Sequence, residues 1–210
     1  MQILGRDIII SLAIIIAIIF TNTKKRNEKV VSLYNIGIIL FTTTIVIIYS
    51  LTGISPISGF HTEIRINEIS VIPLSTITGM VQGGLTFHTI INILGNIIMF
   101  MPIGFLTPLL WNNLKSFKNT LALGFSISLL IEITQLFLSR ASDIDDLILN
   151  TSGVVLGYLV FMAFNKLFPK FKEKILLQSK TMENKYMLAI GIFIPYIVII
   201  VGGIYDRIVY

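Results

Sequence analysis

Residues 89–110 read TIINILGNIIMFMPIGFLTPLL, an apolar run without a charged side chain. At about 1.5 Å per residue, a helix of this length crosses a bilayer core of about 30 Å. Hydrocarbon offers the backbone no hydrogen-bond partners, so a spanning segment of this kind has to be an α-helix. The stretch therefore predicts a transmembrane helix.

Similar runs on both sides of this stretch predict an all-α fold. Of the 210 residues, 54% are hydrophobic and only 13% are charged, and the mean hydropathy is +0.87. An ordinary soluble domain is about one-quarter charged, so this chain has too few polar side chains to coat a water-soluble globule. We predict a polytopic integral membrane protein with about six transmembrane helices. They cover residues 3–20, 30–51, 89–110, 118–138, 144–168 and 186–205.

The basic residues alternate between the two sides of the predicted spans. Twelve of the 16 Lys and Arg lie in the connections after the first, third and fifth spans or at the adjoining span ends. Loops retained in the cytoplasm carry this excess, so both termini are predicted to be extracellular. Short basic clusters between apolar runs are orientation signals, and they argue against nucleic acid as a partner. The chain has no Cys, which excludes disulfide and thiolate chemistry.

Three neighbouring spans each carry a stripe of polar residues on one helical face. The stripes are His88, Asn92 and Asn96; Ser128, Glu132, Gln135 and Ser139; and Asp143, Asp146, Asn150, Gly153 and Gly157. Steps of three or four residues keep side chains on one face of a helix. Counted from the predicted span ends, Asn96, Glu132 and Asn150 lie at about the same depth of 10 Å. We therefore expect the three stripes to meet below the outer surface.

Each of these residues also has an ordinary structural explanation. Membrane Asn and Gln often only bond neighbouring helices, and Asp143 could simply cap the fifth span. Gly153 and Gly157 are four residues apart, which is typical of close helix packing. It is the coincidence of three stripes at one level, more than any single residue, that indicates a site.

Several motifs in a fixed order resemble the VanZ-like family of membrane proteins. They are NILGN at 92–96, FMPIGF at 100–105, SLLIEITQ at 128–135, Arg140, and DIDDLILN at 143–150. The segment Ile72-Pro73-Leu74 resembles the short proline motif that precedes this core in the family. The ordered combination carries the resemblance, because no single motif is specific.

The resemblance implies a division of the chain and a role at the cell surface. It places the VanZ-like membrane core at 30–165, an N-terminal anchor with its basic loop at 1–29, and a Lys-rich loop with a C-terminal helix at 166–210. The family's namesake is associated with resistance to teicoplanin-type glycopeptide antibiotics, and relatives occur widely in Gram-positive bacteria. We accordingly expect a multi-pass protein of the cell membrane that contributes to such resistance. The motif positions carried over are Asn92, Asn96, Glu132, Gln135, Arg140, Asp143, Asp145, Asp146 and Asn150.

The first functional hypothesis is a binding protein whose outward-facing polar pocket takes a membrane lipid or a lipid-linked cell-wall intermediate. Arg140 would contact an anionic group. The amides would bind amides of the ligand, and these are Asn92, Asn96, Gln135 and Asn150. Asp143, Asp145 and Asp146 offer hard oxygen ligands, which would suit Mg²⁺ or Ca²⁺. The external segment 52–88 is long enough to serve as a lid or to lie along the membrane surface.

The alternative is an intramembrane, metal-assisted enzyme acting on the same kind of substrate. Glu132 would then be a general base, and Asp143, Asp145 and Asp146 would hold the metal ion. The sequence contains no HExxH motif and no Gly-rich phosphate loop, so no standard catalytic class is indicated. Transport is a weaker third hypothesis because the polar groups lie near one face and no inverted repeat is visible. The sequence alone leaves binding and catalysis open.

Overall fold

Long helices make up most of the part of the chain that the structure describes. The computed structural model describes residues 2–25, 32–56, 72–74, 78–79, 82, 86–138, 143–180 and 184–209. The α-helices are α1 (Gln2–Lys25), α2 (Leu33–Leu51), α3 (Phe87–Leu110), α4 (Phe117–Gln135), α5 (Ile144–Leu167), α6 (Pro169–Lys180) and α7 (Asn184–Val209). A 3₁₀ turn at Asn112–Leu114 joins α3 to α4, and the described ranges contain no β-strand.

All helices except α6 are long and apolar enough to cross a membrane, which confirms the predicted all-α membrane fold. The span at Thr89–Leu110 has the predicted bounds. The other five differ from the prediction by a few residues at their ends. The difference that matters most for the site is in α4. This helix ends at Gln135, because residues 136–138 form a turn. The extracellular placement of both termini remains a prediction.

The Lys-rich connection contains a helix, α6, that the sequence analysis did not predict. Its 12 residues are too few to cross a bilayer. The helix is anchored by one apolar side, since Ile175 is buried and the Phe171 ring lies 5.6 Å from that of Phe164 on α5. Lys170 and Lys174 remain exposed. The element is therefore a short amphipathic helix packed against the end of the bundle.

Helices α3 and α5 form the most extensive helix pair in the bundle. A Cβ added to Gly153 would fall against the carbonyl oxygen of Ile97, and one added to Gly157 would fall against that of Met101. Gly104 meets the α5 backbone in the same way. These glycines let two backbones approach closely, as the packing explanation for Gly153 and Gly157 predicts. The close approach fixes which turns of α3 and α5 face each other.

The terminal helices α1 and α7 pack against each other and against α2. Arg6 on α1 pairs with Asp7 and with the buried Asp206 on α7. Near the middle of α7, the Tyr196 hydroxyl lies 3.0 Å from Thr134 Oγ1 on α4. Because Thr134 precedes Gln135, α7 supports the end of α4 that carries the polar stripe.

Candidate functional site

A cavity of about 280 Å³ lies between α2, α3, α4 and α5. Because consecutive spans run in opposite directions, the end of α2, the beginning of α3, the end of α4 and the beginning of α5 meet at one side of the bundle. The cavity lies among these four ends. It is lined by Leu51, Thr52, Ile91, Asn92, Gly95, Asn96, Met99, Glu132, Gln135, Asp146 and Asn150. All three predicted polar stripes therefore contribute to one cavity.

One wall is formed by a side-chain contact between α3 and α5. Asn96 Nδ2 donates a hydrogen bond of 2.7 Å to Asp146 Oδ1. A bond to an ionised carboxylate is stronger than one between neutral groups. Asn96 directly precedes Ile97, and Asp146 lies about two turns before Gly153, so the close contact of Gly153 with Ile97 helps to hold the pair in place.

The opposite wall joins α4 to α5. Asn150 Nδ2 donates to Ser128 Oγ at 2.9 Å, and Glu132 Oε2 accepts the backbone N–H of Asp143 at 2.9 Å. The carboxylate of Asp143 in turn caps α5 by accepting the N–H of Asp145. Glu132 is only 6% exposed, so its carboxylate lies inside the bundle and one of its oxygens holds the start of α5. Asp143 therefore has the capping role that the sequence allowed for it.

The third side of the cavity joins α4 to the end of α2. Gln135 Nε2 donates to the backbone carbonyl of Thr52 at 2.7 Å. Thr52 is the C-cap residue of α2, where backbone carbonyls lack partners within the helix. The amide of Gln135 thus satisfies one of them and fixes the end of α2 against α4.

The three stripes meet as predicted, but they do so in a different register. Asp146 is level with Asn96, and Asn150 is level with Ser128. Glu132 lies only about one turn from the end of α4, because α4 ends at Gln135. The predicted match in depth between Asn96, Glu132 and Asn150 is therefore only approximate.

The predicted site residues divide into three groups. Asn92, Asn96, Glu132, Gln135, Asp146 and Asn150 line the cavity. Asp143 and Asp145 are not among the lining residues and instead organise the start of α5, where Asp145 accepts the N–H of Leu74. Arg140 lies outside the described residues, as does most of the proposed external segment between 57 and 85.

A metal site at Asp143, Asp145 and Asp146 gains no support from the geometry. Within the described ranges, no group of three His, Cys, Asp or Glu side chains is arranged to hold a metal ion. The carboxylates of these three aspartates bond to different groups: a backbone N–H of α5, the N–H of Leu74 and the amide of Asn96. Mg²⁺ or Ca²⁺ thus remains a suggestion from the sequence alone.

Sequence reasoning missed several groups that complete the site. Thr52 contributes a backbone carbonyl, and Leu74 contributes a backbone N–H. Both are backbone groups, so the residue type does not predict these contacts. Leu74 has a positive φ of 65°. It lies in the Ile72-Pro73-Leu74 segment, which the structure brings to the start of α5. Gly95 could have been found, since it lies between Asn92 and Asn96 on the lining side of α3.

Two buried amide oxygens belong to residues that line the cavity. Gln135 and Asn150 are each 2% exposed, and both line the cavity. Gln135 Oε1 and Asn150 Oδ1 have no hydrogen-bond partner among the described residues. Such an acceptor costs about 1–3 kcal/mol when it is left unsatisfied.

The chain matches the family model VanZ/LLP1 over residues 36–165, more than half of its length. The chain belongs to the VanZ/LLP1 family. No curated protein and no solved structure matches it. All residues that line the cavity, from Leu51 to Asn150, lie inside the matched range. Helices α1, α6 and α7 lie outside that range, and every described residue of the cavity walls belongs to the VanZ/LLP1 segment.

Proposed function

We propose that this VanZ/LLP1 protein binds the polar part of a cell-surface lipid or lipid-linked cell-wall component in the cavity between α2, α3, α4 and α5. Binding or altering that component lowers the access of teicoplanin-type glycopeptides to the surface and so contributes to resistance. The family membership supports the link to glycopeptide resistance. The cavity supports the binding role.

The observation that carries the binding role is a set of buried and half-buried polar side chains at one end of a membrane bundle. Polar and ionisable groups inside a membrane are costly, and they are kept mainly where they serve a pathway or a ligand. Here Glu132, Gln135, Asp146 and Asn150 surround a cavity of about 280 Å³. Ligand pockets for small molecules begin at about 300 Å³, so the volume suits a headgroup or a short polar segment rather than a whole glycopeptide.

The proposal places the cavity at the outer face of the membrane. Twelve of the 16 basic residues lie in or beside the predicted connections after the first, third and fifth spans, which the positive-inside rule assigns to the cytoplasm. A lipid headgroup of the outer leaflet would then reach the cavity without crossing the membrane. Arg140, in the connection between α4 and α5, keeps its predicted role of contacting an anionic group of the ligand.

The resistance role is tested by deletion and complementation in the host strain. Deleting the gene should raise susceptibility to teicoplanin, and wild-type protein should restore it. Asp146→Ala should fail to restore it, whereas Glu173→Ala on exposed α6 should restore it fully at equal membrane abundance. Unchanged susceptibility after deletion would remove the resistance role, and full restoration by Asp146→Ala would separate it from the cavity.

An enzyme acting on the same component is the second candidate, because Glu132 brings a buried carboxylate to the cavity wall. Glu132 would abstract a proton from the bound substrate as a general base. Purified protein incubated with labelled lipid-linked wall precursors and Mg²⁺ decides between the two. Turnover that is abolished by Glu132→Gln would establish the enzyme, and binding without product would establish the binding protein.

A further inference from the structure

The cavity borders directly on the side of α3 that faces lipid. Large apolar side chains are exposed at Ile91, Leu94 and Ile98, and steps of three and four residues place them on one face of the helix. Within a membrane span, an exposed apolar face is in contact with hydrocarbon chains. Ile91 belongs to this face and also lines the cavity. The cavity therefore reaches the lipid-facing surface of the bundle along α3.

Helix α2 has a similar exposed face on the other side of the cavity. Ile47 and Leu51 are exposed one turn apart, and Leu51 also lines the cavity. At the opposite ends of α2 and α3, the rings of Phe41 and Trp111 lie 4.9 Å apart, so the two helices pack closely there. At the cavity end, Leu51 and Ile91 are 58% and 51% exposed. The pair of helices is thus closely packed at one end and exposed along the cavity at the other.

Gly95 leaves space along this exposed edge of the cavity. It lies one turn after Ile91, it is itself exposed, and a Cβ added to it would meet nothing within 4 Å. Met99, one turn further, also lines the cavity and is half-buried. At about 1.5 Å per residue, Met99 lies about 15 Å from the start of the span at Thr89. The cavity therefore extends into the hydrocarbon region, where lipid chains surround the exposed side of α3.

The polar and apolar parts of the cavity lining lie on different helices. Glu132, Gln135 and Asn150 are buried on α4 and α5, whereas Leu51 and Ile91 are exposed on α2 and α3. A volume of about 280 Å³ accommodates the polar part of a lipid but not its chain. A chain that left the cavity toward water would lose the free energy gained by keeping its methylene groups out of water. A chain that left between α2 and α3 would stay in the bilayer.

We infer that the bound component is an amphiphile that enters sideways from the bilayer between α2 and α3. Its polar part occupies the cavity, and its hydrocarbon chain lies against Leu51, Ile91 and Gly95. The inference rests on the proposed function and adds to it a subsite for the chain and a route of entry. The amphiphile is either a phospholipid or a polyprenyl-linked wall precursor, since both combine a polar head with a chain.

Photolabelling of wild-type protein tests the chain subsite. The protein in phosphatidylcholine nanodiscs receives a trace of one probe that carries a diazirine in its chain near the head. The probes are phosphatidylglycerol, phosphatidylethanolamine and a polyprenyl-linked disaccharide pentapeptide, and labelled residues are located by mass spectrometry. With at least one probe, an excess of the same amphiphile without the diazirine should reduce the labelling of residues 47–51 and 91–98 about tenfold. The probe that shows this competition identifies the source of the chain.

The lipid-facing side of α4 provides an internal control. Leu129 and Ile133 are exposed one turn apart, they lie near the same end of the bundle, and they are not among the lining residues. Bulk lipid in the nanodisc contacts this face as well. Its labelling should therefore change little when the unlabelled amphiphile is added.

Two pairs of variants connect the competed labelling to the opening and to the cavity. Gly95→Phe fills the space beside α3 and should reduce the competed labelling about tenfold, whereas Gly5→Phe, at a second glycine with open space, should not. Asn150→Leu changes the polar lining and should also reduce it. Asn165→Leu makes the same change in α5 away from the cavity and should leave it intact. The emission of buried Trp111 reports whether each variant is folded.

Three results would overturn the inference. They are competition of equal size on the α4 face, competed labelling that is confined to other parts of the chain, and unchanged competed labelling in folded Gly95→Phe. The proposed function would survive each of them, because an amphiphile would still bind. If no probe shows competed labelling anywhere on folded wild-type protein, the proposed function fails together with the inference. The labelling of wild-type protein decides the matter even if Gly95→Phe does not fold.

Discussion

The same substitution on two faces of α3 and α5 should have opposite effects on stability. Gly153 faces the backbone of Ile97, and a Cβ there would fall well inside the 3.0 Å that real Cβ contacts keep. Gly95 lines the cavity, and a Cβ there would meet nothing within 4 Å. Gly153→Ala should therefore destabilise the protein, whereas Gly95→Ala should stabilise it.

The magnitudes follow from two opposing contributions. Replacing Gly with Ala inside a helix favours folding by about 0.8–1.0 kcal/mol. Overpacking costs about 1–3 kcal/mol, and at Gly153 it should reach the upper half of that range because a backbone carbonyl cannot rotate out of the way. The free energy of unfolding should fall by about 1–2 kcal/mol for Gly153→Ala and rise by up to about 1 kcal/mol for Gly95→Ala.

The single tryptophan provides the assay. Trp111 is 1% exposed and its ring lies 4.9 Å from that of Phe41, so its fluorescence should shift to longer wavelength when the bundle opens. Unfolding curves in mixed micelles with increasing dodecyl sulfate then give the free energy for each variant. Gly5→Ala on α1, which also has open space around its Cβ, serves as the control outside the cavity.

The two variants should differ by about 2–3 kcal/mol in the free energy of unfolding. Equal values within about 0.5 kcal/mol would show that α3 and α5 do not pack through Gly153. The register that brings Asn96 to Asp146 would then have no packing basis.

Three further predictions concern the rest of the bundle. Arg6→Gln should lower stability by up to about 3 kcal/mol because it leaves buried acids without their cation, whereas exposed Arg207→Gln should not; equal unfolding midpoints would contradict this. Thr134→Val and Tyr196→Phe should be coupled by about 0.6 kcal/mol in a double-mutant cycle. Additive effects on the free energy of unfolding would show that their hydrogen bond does not stabilise the protein. The chain has no Cys, so a single cysteine introduced at 174 should resist an impermeant maleimide on intact cells while one at 67 reacts; the reverse pattern would invert the topology.

Hydrophobic run length was sufficient to predict the membrane fold from the sequence. Each span is a contiguous apolar stretch bounded by charges or turn residues, and backbone hydrogen bonding in hydrocarbon leaves only the helix. The same reasoning could not predict α6. Its composition is that of a charged loop, and its helical state depends on the tertiary contacts of Ile175 and Phe171.

The side chains of the candidate site could also be predicted, because an isolated Asn or Glu in a membrane span has to face the bundle interior or a cavity. Six predicted residues line one cavity for this reason. What the sequence could not supply is the exact level of each helix. Glu132 lies nearer the end of α4 than expected because the turn after Gln135 carries no clear signal, and the carbonyl of Thr52 is a backbone group that any residue could provide.

The central claim is that the cavity holds a cell-surface component. Native mass spectrometry of the protein extracted gently from its own membrane tests this without choosing a ligand beforehand. Wild-type protein and Asn165→Leu should retain one amphiphile per chain, and Asn150→Leu should lose it. An absence of any retained molecule from wild-type protein, or equal retention by Asn150→Leu, would contradict the claim.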